Sequence, residues 1–126
     1  MMEHEQRTLG GTVWFEDGIM RLRLLGCSDY TLEQAKDDAR ALRELGTRIN
    51  GRRLLAVEPG RMLRMSLPAR RYQAANTPEI AEKVAYVFDN PVSRVVVSFS
   101  LGLGRTPVAV GMFDDLVQAI VWLREG

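Results

Sequence analysis

The last third of the chain constrains the fold most, because it alternates strand and helix signals. Residues 83–88 form an apolar run that predicts a strand, and Asp89-Asn90-Pro91 then supplies the cap and the early proline of a helix start. Residues 107–113 predict a second strand, and Asp114-Asp115 predicts the cap of a final helix. A strand, a crossover, a strand and a helix in this order indicate a parallel sheet covered by helices.

One segment within this third, residues 92–100, carries two conflicting signals. Its run of three valines, residues 95–97, favours a strand by propensity. Five apolar residues nevertheless have the spacing of one helical face, namely Val92, Val95, Val96, Phe99 and Leu103. Two parallel strands also need a crossover, which is usually a helix, so we predict a helix here. Gly102, Gly104 and Pro107 then predict its end.

The opening of the chain predicts a hairpin followed by a capped helix. Glu16-Asp17-Gly18 lies between the apolar runs 12–15 and 19–25, and Asp-Gly in that setting is a strong hairpin signal. Thr31 and Gln34 match a capping box at the start of an amphipathic helix. Gly46 is a natural stop, so we expect this helix to end there.

The middle of the chain predicts one more strand and one more helix. Residues 53–57 form a short apolar run that suits a buried parallel strand. Ser66 or Leu67 then caps a helix that runs to about residue 75, where Asn76-Thr77-Pro78 is expected to break it.

The resulting order is ββαβαβαβα, an α/β fold with a mixed, mostly parallel sheet and covering helices. The 126 residues are about one domain's worth, and we assign residues 11–126 to a single domain. Residues 1–10 are polar and are predicted to form a flexible tail. No apolar run reaches the length of a membrane span, so no membrane partner is expected. The single cysteine, Cys27, excludes an intramolecular disulfide and fits a cytoplasmic location.

The basic residues are concentrated in the middle of the chain, although the net charge is only +1. Residues 39–78 hold nine arginines and two acids, which gives +7, while the rest holds eight basic and fourteen acidic residues, which gives −6. Such a segment could form a basic patch for an acidic protein partner or a phosphate. The alternative is that these arginines point in several directions and solvate the surface.

Catalytic and metal-binding patterns are weak in this sequence. The only histidine, His4, falls in the predicted tail, and one histidine with one cysteine does not make a zinc site. The adjacent acids Asp37-Asp38 are expected on a solvated helix face rather than in a carboxylate dyad. The basic segment has one aromatic residue, Tyr72, which disfavours nucleic-acid stacking. We therefore expect no enzyme, no cofactor, no metal and no nucleic-acid partner.

The order of elements resembles the STAS domain, the SpoIIAA-like fold of bacterial anti-sigma factor antagonists. Residues 84–122 are more similar to small uncharacterised bacterial STAS-like and CRAL-TRIO-like proteins, in which an apolar strand meets Asp-x-Pro-Val-Ser-Lys/Arg-Val. The corresponding residues here are 89–95, and Trp122-Leu123 matches the end of the last helix. The resemblance covers most of the chain from Gly11 onward.

This resemblance implies a regulatory serine, because STAS antagonists carry a phosphorylatable serine at the start of the second helix. Ser66 lies at about that place, although the family's acidic-Ser-Ser-Gly run is absent here. Four arginines in the same stretch could bind an anion or a partner: Arg61, Arg64, Arg70 and Arg71. The alternative interpretation is that Ser66 is only the N-cap of this helix.

Two functions follow as hypotheses. The first is a non-enzymatic, STAS-like protein–protein interaction or regulatory module, with its surface on residues 61–71. The alternative, implied by the CRAL-TRIO resemblance, is a carrier of a small apolar ligand lined by Met62, Met65, Leu67 and Met112. A homodimer is also expected, because the hairpin would leave an exposed sheet edge. Candidates for the dimer face are Trp14, Phe15 and Trp122, which could equally belong to the core.

Overall fold

The computed structural model describes residues 2–25, 29–102 and 108–126, with the backbone alone for residues 99–102. It is an α/β structure with a mixed sheet and four helices, as the order of signals predicted. The strands are β1 (Glu3–Arg7), β2 (Gly11–Glu16), β3 (Ile19–Leu24), β4 (Asp29–Tyr30), β5 (Leu54–Glu58), β6 (Arg64–Met65), β7 (Lys83–Val87) and β8 (Ala109–Phe113). The helices are α1 (Leu32–Arg48), α2 (Leu67–Ile80), α3 (Pro91–Gly102) and α4 (Leu116–Arg124). Strands β1, β4 and β6 are additions to the predicted order.

Six strands form the main sheet in the order β1-β2-β3-β5-β7-β8. β1, β2 and β3 are antiparallel neighbours, and β3, β5, β7 and β8 run parallel. Each crossover advances by one strand in the same direction, so right-handed connections place α1, α2 and α3 on the same face. A large apolar core lies between these helices and the sheet, and α4 alone packs on the opposite face through Ala119 and Leu123.

Several local signals form the structure they predicted. Asp17 and Gly18 both have positive φ, 54° and 80°, which is the backbone of a type I′ hairpin turn. Both hydrogen bonds of the capping box between Thr31 and Gln34 are present. The Asn90 side chain accepts a hydrogen bond from the backbone at the start of α3, at 2.8 Å, and Asp115 does the same for α4, at 2.7 Å.

The contested segment is the helix α3, but its predicted apolar face is only partly buried, with Val96 packed against the core. Ser93 and Val97 point into the protein, whereas Val92 and Val95 are 48% and 67% exposed. The crossover geometry therefore decides the secondary structure, and Val92 and Val95 lie on the solvent side of the helix. Leu103 of the predicted face, and Gly104 and Pro107 of the predicted helix end, lie outside the described residues.

The prediction of a flexible tail differs from the structure over residues 3–7. This segment is strand β1, paired antiparallel with β2, and His4 lies within it at a φ of 55°. Edge pairing uses backbone groups and needs no apolar side chains, so the polar sequence Glu-His-Glu-Gln-Arg gave no strand signal.

Two predicted helix ends are wrong, because local breakers are overridden by other contacts. α1 continues through Gly46, which is buried against the Arg53 side chain, and ends at Arg48. α2 continues through residues 76–78 to Ile80. There, the Asn76 and Thr77 side chains donate to the carbonyls one turn earlier, at 2.8 and 2.6 Å, and the last turn is anchored by the buried Ile80.

The sheet edge expected at the hairpin is paired on both sides, by β1 and by β5. The aromatic residues proposed for a dimer face are buried or half-buried. Trp14 is 2% exposed, with the guanidinium groups of Arg21 and Arg23 each 5.1 Å from its ring centroid. Phe15 and Trp122 are half-buried against the two apolar cores. The free edges of the main sheet are instead β1 and β8.

Candidate binding surface and buried polar cluster

Residues 61–71, called here the 61–71 segment, form a loop and helix start that are held firmly against the core. Met62 and Met65 are buried, at 2% and 6% exposure. β6 pairs parallel with β4, and the backbone N–H of Ser66 donates to the Tyr30 carbonyl at 3.0 Å. The buried Ser93 hydroxyl donates to the Gly60 carbonyl at 2.7 Å, just before the segment. The backbone of this surface is therefore preorganised.

The residues between these anchors point to solvent. Leu63 and Leu67 are each 47% exposed, and Arg61, Arg64 and Arg71 are exposed beside them. Leu67 and Arg71 are four residues apart, so they share the outer face of α2. Arg70 is half-buried. The structure thus places three of the four predicted arginines at the surface. It adds Leu63, which the sequence analysis did not single out because one apolar residue in a loop has no periodicity.

The charge of the 61–71 segment is strongly positive, with four arginines and no acid. Arg64 is ion-paired with Asp29 at 2.9 Å, but both side chains are more than half exposed, so the pair contributes little energy. Within the described part of the chain, no ion pair joins Arg61 or Arg71 to an acid. Arginine is one of the residue types enriched at protein–protein interfaces.

Ser66 is the N-cap of α2, and its hydroxyl accepts a hydrogen bond from the Ala69 backbone at 3.2 Å. This is the capping role that the sequence allowed. Ser66 is also exposed, so its hydroxyl is accessible from solvent. A phosphate on it would lie at the positive end of α2, near the arginines of the 61–71 segment.

A cavity lies between α1, α2 and the sheet, with a volume of about 50 Å³. This volume holds a few water molecules, whereas sites for drug-sized ligands usually measure about 300–1,000 Å³. Of the four predicted ligand-lining residues, Met62 and Met65 line it. Leu67 is on the outer face of α2, and Met112 is 38% exposed on β8, so neither contributes to this cavity.

Asp38 and Tyr30, which line this cavity, form a polar cluster with Thr8, and this cluster corrects the prediction for Asp37-Asp38. Asp37 is at the surface, but Asp38 is 2% exposed. The hydroxyls of Tyr30 and Thr8 both donate to the Asp38 carboxylate. Asp37 accepts from the Leu9 backbone at 2.8 Å, so the two acids together fix the β1–β2 connection to α1. Sequence reasoning missed this cluster because its members are far apart in the chain.

Burial controls the acidity of this cluster. Removal of the carboxylate from water raises the pKa of Asp38, and the hydrogen bonds from Thr8, Tyr30 and the Gly10 backbone oppose that rise. Burial, together with the neighbouring Asp38 charge, also raises the pKa of Tyr30. Gly10 is required by this packing, because a Cβ at that position would lie 2.0 Å from an Asp38 carboxylate oxygen. These contacts connect β4, α1 and the β1–β2 connection.

A second concave region follows the carboxyl ends of the parallel strands and measures about 350 Å³. Its charged lining side chains are Arg23, Arg61, Glu58, Asp89 and Asp114. Arg23 is ion-paired with Glu58 at 3.4 Å, and Asp114 is paired with Arg94 at 2.6 Å. All crossover helices lie on one face, so the strand order of the sheet does not reverse. Open α/β sheets commonly bind ligands at such a reversal. With two basic and three acidic lining residues, this region has little net charge.

Among residues 2–25, 29–102 and 108–126, no three His, Cys, Asp or Glu side chains converge as a metal site would require. None of the helices there has the length and apolarity to cross a bilayer. Cys27 lies outside the described residues.

The fold and the 61–71 segment define an α/β domain that carries an arginine–leucine surface. The chain belongs to a family of proteins that share a domain of unknown function (DUF7793), whose model matches residues 13–126. No curated protein and no solved structure gives a significant match.

Proposed function

We propose that this protein is a non-enzymatic interaction or regulatory module, STAS-like in type and cytoplasmic, that binds an acidic protein partner through the 61–71 segment. The observation that carries the proposal is the exposure of Leu63 and Leu67 beside Arg61 and Arg71 on a backbone held by buried anchors. A preorganised surface binds with a smaller entropic cost, and apolar contacts ringed by arginines suit an acidic partner with an apolar centre.

The test compares two variants with the same change in net charge. Arg61→Glu/Arg71→Glu reverses two charges on the proposed surface. Arg7→Glu/Arg48→Glu reverses two exposed charges on β1 and at the end of α1, and it serves as the matched control. Wild type and both variants are used to capture proteins from a lysate of the native host, at low and moderate salt. We expect a partner that wild type and control retain, that the surface variant loses, and that salt weakens.

The double variant Leu63→Ser/Leu67→Ser tests the apolar half of the surface. Both leucines are half-exposed, so the substitutions should leave the fold intact, which circular dichroism and thermal unfolding will check. Loss of the same partner would support the proposal. Capture of one unchanged set of proteins by wild type and by both surface variants would contradict it.

Phosphorylation of Ser66 is the regulatory part of the proposal. A phosphate would add nearly two negative charges to the basic surface, so it should weaken binding of an acidic partner. Intact-mass measurement of the protein from its own host would reveal the modification. Ser66→Asp should reduce capture, whereas Ser66→Thr should keep it because threonine also caps a helix.

The alternative function, a carrier of a small apolar ligand, has less support from the geometry. The cavity of about 50 Å³ would have to widen several-fold to hold such a ligand. Mass spectrometry under native and then denaturing conditions distinguishes the two functions. A mass increment present only in the native spectrum would favour the carrier.

A further inference from the structure

The two edges of the main sheet differ sharply in how they are protected. β1, at one edge, has Glu3, Glu5 and Arg7 along its length and an irregular register against β2 between Glu3 and Gln6. Charges and irregularities of this kind block pairing with another chain. β8, at the other edge, reads Ala-Val-Gly-Met-Phe and has no charge and no proline. No strand among the described residues pairs with its outer side.

The backbone of β8 is oriented for antiparallel pairing about Gly111. The Phe113 carbonyl accepts from the Phe88 backbone at 2.9 Å, so the peptide groups of Phe113 face β7. Alternation along the strand then turns the N–H and C=O groups of Val110 and Met112 outward, one residue on each side of Gly111. A second β8 related by a two-fold axis at Gly111 would place Val110 opposite Met112. Each such pair exchanges two hydrogen bonds, so the two pairs would form four.

Helix α3 extends this edge with an apolar side chain. Ser93 and Val97 face the interior. Arg94 donates to Asp114, directly after β8, at 2.6 Å, and the Ser98 hydroxyl donates to the Met112 sulfur on β8 at 3.3 Å. Val95 is the next position round the helix, away from the interior, and it is 67% exposed. It therefore points past the edge of the sheet. An apolar residue there is self-complementary across a two-fold axis.

The size of this edge matches the lower limit for a specific dimer. β8 and α3 are each about 17–18 Å long, and one helix layer on each face makes the edge about 30 Å thick. This end-on face is on the order of 500 Å² per copy, or about 1,000 Å² for two copies, which reaches the area of a weak specific interface.

We propose that the occupant of this edge is a second copy of the chain, paired antiparallel through β8 about Gly111, with the two α3 helices side by side on one face. The dimer is isologous and leaves the 61–71 segment free in both copies. It is independent of the proposed function, which concerns a different surface. It also relocates the homodimer expected from the sequence, because the hairpin edge is paired and Trp14 is buried.

Sedimentation velocity over a range of concentrations tests the proposal, with Val95→Glu as the variant. Val117→Glu is the control, because Val117 is 68% exposed on α4. It lies on the same side of α4 as Arg124, whose guanidinium donates to the Asp17 carbonyl in the hairpin turn. The wild type should form a concentration-dependent species of twice the 14.2-kDa chain mass. Val95→Glu should weaken the dimer by about tenfold or more, whereas Val117→Glu should leave it unchanged.

Cysteine cross-linking tests the register. In a Cys27→Ser background, Val110→Cys/Met112→Cys should form a covalent dimer on mild oxidation, because paired Cα atoms of this type lie about 5.5 Å apart. Val110→Cys alone should not, because its symmetry mate is displaced by two residues and lies beyond about 7 Å. A monomer at every concentration, a larger open assembly, or a dimer weakened by Val117→Glu but not by Val95→Glu would overturn the inference.

Discussion

Replacement of Tyr30 by phenylalanine is expected to destabilise the protein by about 2 kcal/mol near neutral pH. The ring stays in place, so little apolar burial is lost, but the buried Asp38 carboxylate loses one of its two hydroxyl donors. A hydrogen bond to a charged group contributes roughly 1.5–3 kcal/mol, and the loss is felt more when the remaining partner is buried. For a chain of this length, about 2 kcal/mol corresponds to roughly 6–10 °C in the melting temperature.

The size of this effect should depend on pH. Burial raises the pKa of Asp38, so the native chain holds this proton more tightly than the unfolded chain does. The contribution of Asp38 to stability is therefore highest below the ordinary carboxyl pKa of 3.8 and falls as pH rises through the folded value. In Tyr30→Phe the pKa of Asp38 in the folded chain rises further, so the fall in stability extends to higher pH. The loss in Tyr30→Phe should thus be smaller near about pH 4 than near about pH 7.

Urea unfolding at these two pH values measures the effect, and Tyr86→Phe is the matched control. Tyr86 lines the same cavity, and no described hydrogen bond joins it to Asp38. The control should change stability by less than about 1 kcal/mol at both pH values. The same loss at both pH values in Tyr30→Phe, or a loss no larger than in the control, would refute this account of the cluster.

Three further predictions concern single contacts. Gly10→Ala should destabilise by about 2 kcal/mol or more, because its Cβ would meet the Asp38 carboxylate, and Gly10→Ala/Asp38→Ala should recover part of that loss in urea unfolding. Ser66→Ala should cost about 1 kcal/mol of stability through loss of the α2 cap, and a thermal melt indistinguishable from wild type would contradict the capping role. The Lys83 ammonium binds the Trp122 and Glu125 carbonyls and lies 4.2 Å from the Trp122 ring centroid. Lys83→Met should therefore speed amide hydrogen exchange at the end of α4. Unchanged exchange would show that α4 is held by its apolar side alone.

Features set by neighbours in the chain could be predicted from the sequence. Asp17-Gly18, the Thr31–Gln34 box and Asp115 each determine the local backbone through contacts that span at most three residues. The α/β class followed because these signals alternate in a fixed order. The start of α2 at Ser66 was predicted for the same reason.

Features set by distant contacts could not be predicted. Asp38 has the same neighbours as a solvated acid, and only the approach of Thr8 and Tyr30 makes it a buried one. Asn76-Thr77-Pro78 is a strong breaker signal, but its side chains bind the preceding turn and Ile80 anchors the helix end. At the candidate surface, the arginines of the 61–71 segment could be identified from the sequence. Their exposure and the contribution of Leu63 could not, because both depend on which side chains are buried in the core.

The attachment of β1 has a practical consequence for work on this family. The family model matches residues 13–126, and a chain shortened to that range would lack β1 and the Thr8 hydroxyl. β2 would then become a sheet edge, with Trp14 and Phe15 on an uncovered strand, and the Asp38 carboxylate would keep only the tyrosine as a hydroxyl donor. Such a shortened chain is expected to be less stable and prone to associate through its own new edge. Any oligomer it forms would report on the truncation rather than on the native surface.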